Sequence, residues 1–185
     1  MKPTFPIVLA VVLLALVGLR FVSSGGRVTT QPFASEARLE VALDGEGPRF
    51  AAIDITLDSR GSGLAAYQVE LRSVVSDGSS PKLTFVGVEG GEHTAFASPP
   101  AYDPEALRGP SERLVLAALA PSEVNNQLPV SATRVARVHV MIEGKGSLVV
   151  RATLIAAGKA DGTRIDAAVL LAAASKEQVV PGGLR

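Results

Sequence analysis

The chain has no cysteine and no tryptophan, only two tyrosines, and 18 basic side chains that cancel 18 acidic ones. Without thiols there are no disulfides, no zinc–thiolate sites and no thiol nucleophile. That does not fix the compartment, because a domain of this size can be exported without covalent staples. Without net charge there is no basic field for nucleic acid and no acidic field for cations. Aromatic residues make up 4% of the chain against 47% hydrophobic residues overall. The core must therefore be built from Val, Leu, Ile and Ala, and rings for stacking on sugars are scarce.

One long apolar run is present, and it is N-terminal. Lys2 precedes Ile7–Leu19, which carries no charge, and Arg20 follows. The run fits the apolar region of a signal peptide. Counted from Thr4 to Val22, it also approaches the roughly 20 residues that span a bilayer. Residues 1–24 are thus expected to form an apolar helix, as a cleaved signal or a retained membrane anchor. In either case the rest of the chain is expected outside the cytoplasm: on the cell membrane as a single-pass protein, or secreted or periplasmic after cleavage. Residues 25–36, rich in Ser, Gly and Thr, read as a linker. Residues 37–174 form the domain, and 175–185, with Pro181-Gly182-Gly183, read as a flexible tail.

Within the domain the dominant pattern has period two. In Leu64–Arg72, Ala65, Tyr67, Val69 and Leu71 alternate with Ala66, Gln68, Glu70 and Arg72, as a strand with one buried face requires. Ala37–Leu43, Ala51–Asp58, Lys82–Val88, Thr133–Glu143 and Ser147–Ala156 alternate in the same way. Ile165–Leu171 gives a last strand, with an Ala-rich helix at 167–174 as its competitor. Arg113–Leu119 is apolar on both sides, which predicts a central or doubly covered strand. Gly144-Lys145-Gly146 marks a tight turn, and Asp161-Gly162 a hairpin. From Glu89 to about Ser111 the pattern lapses into a long connection. There Asp103-Pro104 reads as a helix cap, and Thr94–Ala97 as a short edge strand. Eight or nine strands with almost no helix predict an all-β fold, an antiparallel β-sandwich of jelly-roll topology.

Chemistry is sparse. His139 lies on the outward side of its strand, His93 sits beside Glu92 in the Gly-rich connection, and no Gly-x-Ser-x-Gly elbow accompanies them. Asp54, Asp58, Asp77, Asp103 and Asp161 lack calcium-loop spacing, and turn or cap roles account for them. The chain is expected to be non-catalytic, with no cofactor and no metal. A hydrolase using either histidine has no nucleophile motif behind it.

Three segments carry a family resemblance. Gly63–Leu71 places a glycine, an aromatic and Gln before alternating apolar residues. Lys82–Gly91 is a strand that ends at paired glycines, and Thr133–Val140 follows the apolar Arg113–Leu119 strand. Together they resemble the cohesin-type sandwich, which is related to a carbohydrate-binding-module fold, over about Leu39 to Leu171. One departure is that Tyr102-Asp103-Pro104 falls in the long connection instead of directly after the strand, where Arg72–Ser76 stands. The resemblance implies that the strands at 64–72, 113–119 and 147–156 share a sheet, whose outer face would be an apolar patch rimmed by charge. Gln68, Glu70, Arg72, Val115, Ala117, Leu119, Arg151 and Thr153 are its partner-binding candidates, for a protein in the cell envelope or extracellular space. The alternative is a polysaccharide-binding module with Phe96 and Tyr102 as platforms. The other possibility for the sheet face is that the 89–111 connection or the C-terminal tail covers it.

Overall fold

The computed structural model describes residues 35–43, 47–75, 81–109 and 111–174. The expected N-terminal helix, most of the linker, the tail, and Asp77 lie outside the described residues. Eight strands are present among those described: β1 (Glu36–Leu43), β2 (Arg49–Asp58), β3 (Ala66–Val75), β4 (Lys82–Gly90), β5 (Arg113–Leu119), β6 (Thr133–Glu143), β7 (Gly146–Gly158) and β8 (Ala168–Ala173). They form two four-stranded antiparallel sheets, ordered β1-β7-β3-β5 and β4-β6-β2-β8. Odd strands make one sheet and even strands the other, so every connection along the chain changes sheet.

Alternation explains how the two sheets share one core. Tyr67, Val69 and Leu71 of β3 point inward beside Leu148, Val150, Ala152 and Leu154 of β7. Ile53, Ile55 and Leu57 of β2 and Val138, Val140 and Ile142 of β6 meet them from the other sheet, and all are buried. Branched aliphatic side chains suit this pleated, closely packed surface. Tyr67 also ties the sheets together, since its hydroxyl donates to the Val135 carbonyl of β6 at 3.1 Å. Burial pushes that phenol's pKa well above its ordinary range.

Turn chemistry closes the connections. Arg60 and Gly61 both have positive φ, 51° and 84°, and the Ser62 amide bonds the Ser59 carbonyl across them at 3.0 Å. Two positive-φ residues at the centre of a turn define the primed type, which glycine favours. Gly144 and Gly146 also have positive φ and carry the chain from β6 in one sheet to β7 in the other. The Asp161-Gly162 hairpin is brief. Gly158 bridges Arg164, and the chain then crosses to pair β8 with β2.

Two local expectations are corrected. Thr94–Ala97 is not an edge strand, because Thr94–Phe96 forms a 3₁₀ turn. Nδ1 of His93 accepts the Ala95 amide at 3.2 Å, and the turn delivers Ala95 and Phe96 into the core. The last strand is as expected: β8 forms in place of the competing Ala-rich helix, its inward Val169 continuing the alternation begun by Ile165 and Ala167. The apolar strand β5 is neither central nor covered on both sides. It is the edge of its sheet, where the long connection lends it partial cover through a two-way backbone bridge from Ala101 to Ala117, at 2.8 and 2.9 Å. Such a bridge blocks part of an edge that would otherwise be open to pairing. The Asp103 cap is as expected, since its carboxylate accepts the Glu105 amide at 3.0 Å above the Pro104–Leu107 turn.

Candidate functional site

The outer face of the β1-β7-β3-β5 sheet brings together all eight residues singled out for partner binding. In the register of β3 with β5, Gln68 stands opposite Ala117 and Glu70 opposite Val115. In its register with β7, Glu70 stands opposite Thr153 and Arg72 opposite Arg151. Leu119 lies one step beyond, opposite Ala66. Alternation aims all these side chains away from the core.

The face is not an apolar patch rimmed by charge. It divides along the strands into two halves. One half is apolar and small: Leu119 is 75% exposed and Ile155 39%, with Ala66, Ala117 and Ala156 between them. A bulge in β7 opposite Gln68–Val69 inserts Ile155, so that both Ile155 and Ala156 are exposed. The other half is ionic, with Glu70 at its centre and only 14% of that side chain exposed. Its two carboxylate oxygens accept from Nε of Arg72 and Nε of Arg113, each at 2.5 Å. The hydrogen bond from Arg72, helped by that from Arg113, holds the Glu70 carboxyl below its ordinary range despite partial burial. Glu70 in turn raises the guanidinium pKa of Arg72.

Strand β1 contributes residues that the alternation of its own sequence put outward but did not assign to this sheet. Arg38 bonds Glu36 at 2.9 Å, and Arg151 of the neighbouring strand reaches within 4.0 Å of the same carboxylate. The Nε of Arg151 is shielded from solvent and has no hydrogen-bond partner among the described residues.

The long connection borders the face without closing it. Its Pro104–Leu107 turn stands beside β5, where Asp103, Glu105, Ala106, Ser111, Arg113 and Val115 line a shallow cleft of about 410 Å³. Val115 and, further along β5, Ala117 are half-buried, while Leu119 remains open.

The residues considered for other chemistry fall elsewhere. Phe96 is 2% exposed and meets the Tyr67 ring edge-on, with centroids 5.2 Å apart and planes at 71°. It therefore offers no free face to a sugar ring, and Tyr102 is half-buried against the same core. His139 bonds Glu89 at 2.8 Å on the outside of the opposite sheet, and His93 serves as the cap described above. Asp58 and Asp161 accept turn amides from Arg60 and Thr163 at 3.0 and 2.8 Å. Asp54 differs from them, being a strand residue paired with both Nε and Nη2 of Arg137 at 2.7 and 3.1 Å. Among the described residues, no group of three or more His, Cys, Asp or Glu side chains could hold a metal ion, and no helix is long and apolar enough to cross a membrane.

No protein-family model and no curated protein matches this chain.

Proposed function

We propose that the chain is an exported, membrane-tethered and non-catalytic module, cohesin-like and of jelly-roll topology, that binds a protein partner through the outer face of the β1-β7-β3-β5 sheet. The observation that carries this reading is the exposure of Leu119 and Ile155 on an otherwise regular sheet face, next to the ordered Glu70 cluster. An exposed apolar area adjoining anchored charge is a feature common to protein-binding surfaces. Change of sheet at every connection favours the jelly-roll assignment. The tether rests on the apolar run Ile7–Leu19.

Leu119→Asp tests the face. The side chain is so exposed that its loss changes stability by no more than about 0.5 kcal/mol. It places a charge where the partner must exclude water. Pull-down from cell-envelope extract with the full chain should lose the captured protein, while circular dichroism stays the same. Undiminished capture by the folded variant refutes the assignment.

A further inference from the structure

Four arginines stand in one unbroken cross-strand row on the outer face of the sheet. Arg38 of β1 faces Arg151 of β7, Arg151 faces Arg72 of β3, and Arg72 faces Arg113 of β5. Their side chains are between 40% and 63% exposed. At the usual strand separation the four backbone positions span about 14 Å, one arginine every 5 Å or so. Like charges placed directly opposite one another oppose sheet formation. Among the described residues, Glu36 and Glu70 are interleaved with them, each shared by two arginines, and Glu112 adds a weaker attraction for Arg72. Arg38, Arg72 and Arg113 are each held through Nε. That grip orients the guanidinium and leaves its terminal nitrogens without a partner among the described residues.

We propose that this row docks an acidic protein segment whose carboxylates are spaced about 5 Å apart, each received by a guanidinium of the row, three of which are oriented through Nε. The proposal rests on the binding-face reading above and gives the partner its chemistry. Acidic side chains three and four apart on a helix stand about 5–6 Å from one another, which matches the row. Same-side residues of an extended strand are about 7 Å apart, which does not. Among the described residues of the four strands, no aromatic side chain lies on this face to stack on bases or sugar rings.

The test uses the full chain in neutral detergent and a fluorescent helical peptide of about 16 residues with four glutamates along one face. Anisotropy should show saturable binding that weakens as salt is raised towards 0.5 M or so. The double variant Arg72→Gln/Arg151→Gln, checked by circular dichroism to be folded at the assay temperature, should bind at least about tenfold more weakly. Lysine at the same two positions should restore only part of the affinity, because the charge returns without the planar fork. The proposal is overturned if the wild-type chain does not bind the peptide, or if the glutamine variant binds as well as wild type. Preferential binding of heparin or anionic vesicles in competition also overturns it. Should the peptide fail while Leu119→Asp still abolishes partner capture, the acidic chemistry is wrong and the face reading stands. Should the peptide bind through the arginines while Leu119→Asp leaves capture intact, the row stands and the apolar half of the face does not.

Discussion

Phe96 is the residue on which the position of the long connection depends, and Phe96→Ala measures that dependence. The ring is buried and packs edge-on against Tyr67, while its backbone accepts the Gly91 amide at 2.6 Å and donates to the His93 carbonyl at 2.8 Å. Truncating a buried phenylalanine costs about 3–5 kcal/mol through lost burial and the cavity left behind. The edge contact with Tyr67 accounts for about 0.5–1.5 kcal/mol of that beyond simple area. Against a total stability of about 5–15 kcal/mol this is a large fraction, and it lowers the melting temperature by roughly 10 °C or more. Urea unfolding followed by far-ultraviolet circular dichroism reads the loss directly. Phe96→Leu, which keeps much of the volume, should cost about 1.5 kcal/mol or less. The same truncation loosens the segment that carries Ala101, so the Ala117 amide, which bonds the Ala101 carbonyl, should exchange with deuterium faster than the amides of central strand β3. A stability loss below about 1 kcal/mol, with Ala117 still protected, would refute the claim that Phe96 is a core anchor. It would return the ring to consideration as a ligand platform.

Two further measurements probe the frame and the face. Gly91→Ala drives a β-carbon into the Arg134 carbonyl and the Val135 backbone. Because strand β6 there cannot yield, a loss of about 1–3 kcal/mol in chemical denaturation is expected, and a neutral result would mean that this corner is free to move. Glu70→Gln should cost about 1 kcal/mol at neutral pH, since two arginine hydrogen bonds lose their charge assistance. The Glu70 pKa is lowered in the folded state from its ordinary 4.5. Its contribution is therefore present above that value and disappears as the pH falls through the folded pKa. Wild type and variant should accordingly converge in stability towards low pH, and a gap that persists unchanged into acid would show that the carboxylate's charge is not what matters.

What the sequence discloses here is decided by whether a feature depends on one strand or on the pairing of several. Alternation within Leu64–Arg72 was enough to send Tyr67, Val69 and Leu71 inward and Gln68, Glu70 and Arg72 outward, because period two is a local property of the pleat. The cap at Asp103 was equally legible, since the carboxylate bonds an amide only two residues away. The 3₁₀ turn at Thr94–Phe96 was not, because what selects it is the space the distant Tyr67 leaves for Phe96. The edge position of β5 is hidden from its sequence for a related reason. An apolar run on both sides looks central when the cover comes from sheets, but here the cover comes from the irregular connection at Ala101. The arginine row lies furthest from the sequence. Arg38, Arg72, Arg113 and Arg151 are scattered over more than a hundred residues, and no spacing links them. Each was separately readable as outward-facing or strand-terminal. Only the order β1-β7-β3-β5 and its registers set them side by side. A strand slipped by one residue would have turned its arginine inward. The row thus exists because the buried aliphatic side chains on the other side of the same strands fix the register, and a binding face of this kind inherits its accuracy from the core beneath it.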